Sequence, residues 1–149
     1  MHAHRLLGAF AAIAVVIAAC ASSTPGASRA QTLSAGLSGQ STQTSDGGQV
    51  TMAADWAGPG GGAVFDITLD THSVDLDPLD LSDAILRNDR GETMTAQPWA
   101  APKGGHHRRG ALTFQGDAAS FFAGATWIEL VVLGVGDLPE RMLRWEVGS

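Results

Sequence analysis

Apolar and polar residues alternate in short runs along the chain from Gln49 onward. In the clearest run, Phe65, Ile67 and Leu69 are separated by single polar residues. Alternation with a period of two is typical of β-strands that bury one face. The pattern predicts seven strands, one starting at residue 50 and the others over 63–70, 84–88, 92–96, 111–114, 126–133 and 140–147. With Gly, Pro and Asp turns between them, these strands predict an all-β fold, an immunoglobulin-like β-sandwich of about seven strands.

The strand pattern also indicates which side chains form the core. Aromatic side chains bury large apolar areas, and we expect five of them in the core: Phe65, Trp99, Phe114, Trp127 and Trp145. On the last strand, Leu143, Trp145 and Val147 are expected to face inward. The same strand carries Glu140, Arg141 and Arg144, which we interpret as charge pairs on a solvated face or as an interaction edge.

The first 48 residues lack this alternation. A short basic start is followed by an apolar run of 14 residues over 6–19, whereas a membrane-spanning helix needs about 20. This layout is typical of a secretory signal. Residues 21–48 are mainly Ser, Thr, Gly, Gln and Ala, a composition that cannot bury enough apolar surface to fold. The predicted organisation is a signal peptide over 1–19, a flexible linker over 20–48 and a β-sandwich domain over 49–149.

Residues 17–20, Ile-Ala-Ala-Cys, resemble the lipobox of bacterial lipoproteins. The resemblance implies cleavage before Cys20 and attachment of a diacylglyceryl group to its thiol. We therefore expect a palmitate-type lipid anchor in the cell membrane, with the domain on the extracytoplasmic face. The alternative is an ordinary secretory peptide with an incidental cysteine. Cys20 is the only cysteine, which excludes an internal disulfide framework.

The charge balance narrows the classes of partner. The chain has 9 Lys+Arg against 15 Asp+Glu, a formal net charge of −6. Such a chain has no basic face with which to neutralise many phosphates, so we expect no nucleic-acid partner. The expected partners are the membrane, through the lipid, and another envelope protein.

Two segments differ from the plain strand pattern. Residues 70–83 contain five aspartates, and residues 99–110 contain the basic cluster Lys103, Arg108 and Arg109. The motifs LDTHSVDLD over 69–77, GGHHRxGxLxF over 104–114 and GVGxxxERxxRW over 134–145 resemble a small uncharacterised domain of bacterial envelope proteins, several of them lipid-anchored. The resemblance implies an envelope domain and carries no settled activity.

The two segments also carry His72, His106 and His107. Neutral imidazole binds copper or zinc, and Asp70 or Asp75 would complete the set of ligands. The alternative is that these histidines form ordinary hydrogen bonds or lie exposed, while the acidic stretch pairs with the basic cluster and holds two loops together.

No nucleophile elbow or other catalytic motif is present in the sequence. The leading hypothesis is therefore a non-enzymatic binding domain on a lipid anchor, with no cofactor. The second hypothesis is a lipoprotein that binds copper or zinc.

Overall fold

The computed structural model describes residues 41–147 as eight strands and short helical turns. The elements are β1 (Ser41–Gly47), β2 (Val50–Trp56), a 3-10 turn (Pro59–Gly61), β3 (Val64–Thr71), β4 (Ile85–Asn88), β5 (Thr93–Ala96), β6 (His107–Gln115), α1 (Ala118–Phe122), β7 (Trp127–Val135) and β8 (Leu138–Glu146). The all-β prediction is confirmed. Within these residues, no helix has the length and apolarity required to cross a membrane.

All eight strands pair antiparallel in a single sheet, in the order β1-β2-β3-β6-β5-β4-β7-β8. The long strand β6 joins the two halves, because residues 107–113 pair with β3 while Phe114 and Gln115 pair with β5. The sheet curls until it is nearly barrel-shaped, with β1 beside β8. An immunoglobulin-like sandwich of seven strands is therefore not confirmed.

The first strand lies inside the segment that the sequence assigned to the linker. β1 has the sequence Ser-Thr-Gln-Thr-Ser-Asp-Gly and pairs with β2 along its whole length. Gly48 and Gln49, with φ of 54° and 63°, form the two-residue connection typical of a tight hairpin. Since β1 contains no apolar residue, its formation depends on backbone pairing rather than on a buried face. The linker boundary at residue 48 is corrected accordingly, and the described domain includes Ser41–Gly47.

The inward faces of the strands form one continuous apolar core. Four of the five predicted core aromatics are buried: Phe65, Trp99, Phe114 and Trp145. The fifth, Trp127, is only half-buried, because it faces outward on β7. The core also contains aromatics that the pattern did not predict, namely Trp56, Phe121 and Phe122. The short helix α1 thus supplies two rings, and the Trp56 and Phe122 ring centroids lie 5.2 Å apart.

A buried arginine bridges β1 and β8, which share no backbone ladder within the described sheet. Arg141 of β8 is only 2% exposed. Its guanidinium donates to the carbonyl oxygens of Ser45 at 2.7 Å and Gly47 at 2.6 Å. It also donates to those of Val50 at 3.0 Å and Val135 at 3.2 Å. Burial lowers the pKa of Arg141 below its ordinary value.

Where β1 lies beside β8, the β1–β2 turn and the β7–β8 turn are in direct contact. The backbone N–H of Asp137 donates to the carbonyl oxygen of Gly48 at 3.2 Å. A Cβ on Gly136 would lie 2.2 Å from the same oxygen, so only glycine fits there. The prediction that Arg141 lies on a solvated face is wrong, because position 141 has the same inward parity as Leu143.

Candidate functional site

An open cleft of about 410 Å³ lies where the β1–β2 turn, the end of β3 and the start of β6 meet. Its polar lining comes mainly from Gln49, Thr51, Asp70, His72, Ser73 and His107. The antiparallel register brings these residues together, because Asp70 lies opposite both Thr51 of β2 and His107 of β6. Two segments that stand out in the sequence, the end of β3 and the histidine pair, thus meet at one end of the domain.

The buried hydroxyl of Thr71 ties the turn to the loop that follows β3. Its Oγ1 donates to the carbonyl oxygen of Gln49 at 2.7 Å. Thr71 Oγ1 also accepts from the backbone N–H groups of Ser73 at 3.2 Å and Val74 at 3.1 Å. This loop geometry fixes the course of the chain past the cleft.

The side chain of Gln49 is held from two directions. Its Oε1 accepts from the Ser73 hydroxyl at 2.7 Å, and its Nε2 donates to Asp137 at 2.9 Å. Gln49 has a φ of 63°, a conformation that costs a residue with a side chain free energy. Residues held in such conformations by their surroundings cluster at ligand sites. The cleft therefore contains a fixed amide group.

The imidazole of His107 lies against the carboxylate of Asp70 through its Nδ1. Both side chains remain accessible, and His107 is the more exposed of the two. Its other ring nitrogen is left for solvent or a ligand. Nearby His72 is also exposed and lines the cleft. The site thus offers two imidazoles and a carboxylate on one open surface.

Of the five residues proposed as metal ligands, Asp70, His72 and His107 line the cleft, whereas Asp75 and His106 do not. Asp70 and His107 are joined by a hydrogen bond. His106 contributes its carbonyl oxygen to the backbone N–H of Thr71, at 2.9 Å, and Asp75 accepts from its own loop at Asp77. Within residues 41–147, no group of three or more His, Cys, Asp or Glu side chains is arranged to hold a metal ion.

The basic cluster does not act as a unit, because Arg108 points into the domain. It is 3% exposed, and its guanidinium donates to the carbonyl oxygens of Leu76 and Leu79, the latter at 2.9 Å. It also donates to those of Pro102 at 3.0 Å and Ala101 at 3.1 Å. Arg108 therefore joins the two loops, as expected, but through carbonyl oxygens and not through the aspartates.

The other members of the cluster have separate roles. Arg109 pairs with Asp66 of β3, outside the acidic stretch, and this hydrogen bond raises the pKa of Arg109. Lys103 is exposed in the loop. The pKa of Asp80 is lowered mainly by hydrogen bonds from Ser82, with the charge of Lys103 the smallest contribution. Exposed pairs of this kind contribute little to stability.

A second surface lies on the outward side of β4, β7 and β8. Glu129 is only 6% exposed there, because Arg87 hydrogen-bonds to it and Arg144 lies 3.3 Å away. The guanidinium of Arg144 also stacks 4.0 Å over the Trp127 ring. Charge pairing on the outward side of β8 is therefore confirmed for Arg144.

No protein family matches the chain, and no curated protein or solved structure is significantly similar to it. The function must therefore be argued from the chain itself. Cys20, the signal peptide and most of the linker lie outside the described residues. The alternating pattern does not point to Gln49 as a site residue. The preceding Asp46-Gly47-Gly48 has the composition of a tight turn and thus indicates a hairpin there.

Proposed function

We propose that the chain is a lipid-anchored recognition protein of the bacterial envelope. A lipid on Cys20 holds it at the extracytoplasmic face, a spacer separates the domain from the surface, and the open cleft binds a segment of an envelope protein. Function then consists of binding and involves no reaction.

The observation that carries this proposal is the fixed geometry of the open cleft. Hydrogen bonds with Ser73 and Asp137 hold the Gln49 amide at the cleft, and Arg141 binds the carbonyls of Gly47 and Val50 in its lining. Exposed polar groups held in place bind with a smaller loss of conformational entropy than mobile ones. The exposed imidazoles of His72 and His107 are the donors and acceptors that a partner would meet.

The contacts of Ser73 do not activate its hydroxyl as a nucleophile. Its hydroxyl donates to Gln49 and not to a histidine. A serine needs an adjacent general base to act as a nucleophile. The cleft is thus better suited to hydrogen-bonded recognition than to acyl transfer.

Site-directed photo-crosslinking in the intact envelope tests the binding role. We expect a photo-reactive residue at His72 to yield one discrete adduct with an envelope protein, and the same residue at exposed Val64 on β3 to yield none. The adduct should disappear in a Gln49→Ala/His107→Ala chain. Equal labelling from both positions would contradict a recognition site in the cleft.

Native mass spectrometry of the whole chain in detergent tests the metal-binding alternative, for which the contact between Asp70 and His107 is the supporting observation. Copper or zinc bound at one ion per chain and lost in His72→Ala/His107→Ala would replace the recognition proposal with a metal site. Retention of the ion in that variant would show that it binds elsewhere.

Detergent phase partition tests the anchor separately. The chain should enter the detergent phase, and Cys20→Ser should shift it to the aqueous phase. Unchanged partition of Cys20→Ser would contradict lipidation while leaving the cleft argument in place.

A further inference from the structure

The outward side of β4, β7 and β8 forms a surface that the cleft does not use. We call it the β8 face and define it by Ile85, Arg87, Glu129, Val131, Leu133, Glu140, Met142 and Arg144. Exposed large apolar residues concentrate on it. Met142 is 53% exposed, Leu133 44% and Ile85 36%. Val64, on β3 in the other half of the sheet, is the remaining exposed large apolar residue in the described chain, at 41%.

The strand register arranges the β8 face in three rows. In the middle row, Ile85, Val131 and Met142 lie side by side. The row on one side pairs Leu133 with Glu140. Ile85 and Met142 of this row are exposed, whereas Val131 between them is buried. Together with exposed Leu133, the two outer residues make the face a candidate for contact with another protein.

The row on the other side of the middle row differs in charge from the row of Leu133 and Glu140. There Arg87, Glu129 and Arg144 lie side by side, and two guanidinium groups share one carboxylate. This row has a net positive charge, whereas Glu140 gives the row that it shares with Leu133 a negative charge. Along β8 the outward order from Glu140 is therefore acid, methionine, arginine, and Glu146 follows as a second acid.

From this order we infer that the β8 face binds a second copy of the same chain. A two-fold axis along the middle row would place Met142 against Met142 of the second copy. The same rotation would place Glu140 against Arg144 of the other copy, and Arg144 against Glu140. A two-fold interface brings the same surface together twice, so a face with opposite charges at equal distances from its apolar centre is complementary to itself.

The small size of the apolar row makes this pairing weak in dilute solution. A common membrane raises the effective concentration of tethered copies, which favours weak pairing. The anchor therefore strengthens the dimer, but complementarity of the β8 face does not depend on it.

Chemical crosslinking of Met142→Cys, with Val64→Cys as a matched control, tests the inference. Face-to-face sheets lie about 10 Å apart, too far for a disulfide between opposing strands, so the reagent is a short bis-maleimide. We expect Met142→Cys to form a covalent dimer in the envelope and Val64→Cys to remain monomeric. The unmodified chain controls for any reaction at Cys20, and the same pair in a Cys20→Ser background separates failure of the anchor from failure of pairing.

Charge exchange tests the direction of the pairing. In the Met142→Cys chain, Glu140→Arg should reduce the crosslinked fraction at least fivefold. Coexpression of Glu140→Arg with Arg144→Glu copies should restore it, since each new charge then meets its opposite. Should Arg144→Glu fail to fold, exposed Leu133→Lys takes its place as a disrupting variant, with Val64→Lys as its control.

Three results would overturn the inference. The first is no dimer at Met142→Cys in either background, and the second is equal crosslinking at Val64→Cys. The third is a Met142→Cys adduct with a different protein, which would assign the β8 face to that partner.

Discussion

Arg108 and Arg141 are both inward-facing arginines, but they hold different parts of the domain. Each donates to main-chain carbonyl oxygens, and neither pairs with a carboxylate among residues 41–147. The carbonyls bound by Arg108 lie in loops, whereas Arg141 reaches Ser45, which is 96 residues away in the chain. A guanidinium can thus satisfy buried backbone where no strand ladder does. One arginine organises a loop region, and the other closes the sheet.

Of the two arginines, Arg141 should cause the larger loss in free energy of unfolding when it is replaced. Replacement by methionine keeps an unbranched side chain but leaves several carbonyl oxygens buried without donors. We expect Arg141→Met to lower the free energy of unfolding by about 3–5 kcal/mol. Urea unfolding followed by tryptophan fluorescence measures this. Exposed Arg144→Met is the control, with an expected loss of at most about 1 kcal/mol. Equal losses in the two variants would contradict the role of Arg141 in holding β1 beside β8.

The corresponding change at Arg108 should be smaller and local. The Trp99 ring, whose centroid is 4.6 Å from the Arg108 guanidinium carbon, and the indole bond to Gly110 both remain near the loop. We expect Arg108→Met to cost about 2–3 kcal/mol. Neighbouring Arg109→Met removes only an exposed pair and should change the free energy of unfolding little. A loss at Arg108 larger than at Arg141 would reverse the comparison.

Thr71 connects the two regions, and its replacement should lower the free energy of unfolding less than replacement of either arginine. Valine preserves its shape but removes the hydroxyl that bonds Gln49, Ser73 and Val74. Thr71→Val should cost about 1–2 kcal/mol. Thr71→Ser keeps the hydroxyl, so it should retain most of that stability. If valine were as stable as serine in chemical unfolding, the hydroxyl would not hold the cleft turn.

The smallest effect concerns acid stability, at a carboxylate remote from both arginines. A side-chain hydrogen bond from Thr126 is the main cause that lowers the pKa of Asp89 below 3.8. The stability gained by this ionised group is present above the unfolded pKa and is lost as pH falls through the lower folded value. Asp89→Asn should therefore reduce the fall in unfolding free energy below about pH 4. Identical acid profiles for the two chains would refute this contribution.

The apolar pattern predicted a strand at the position of each of β2 to β8, including β7, which is buried on both faces. The prediction for β6 covered only 111–114, whereas the strand begins at His107. The pattern did not predict β1, whose polar sequence is held by pairing with β2 and by Arg141 rather than by a buried apolar face. The inward positions of Arg108 and Arg141 were also missed. Their charge suggested solvent, although strand parity placed them with buried neighbours such as Leu112 and Leu143. His107 of the histidine pair lies at the cleft, but contacts across strands decided which residues meet there.

Hydrogen exchange of the whole chain, compared among wild type, Arg108→Met and Arg141→Met, tests most directly whether the two arginines hold two separate parts of the domain. We predict faster exchange over 72–84 and 97–106 in Arg108→Met, with β1 still protected. In Arg141→Met, β1 and the Gly48–Gln49 turn should exchange faster, while the loops keep their protection. Faster exchange over the same residues in both variants, or in neither, would contradict the account.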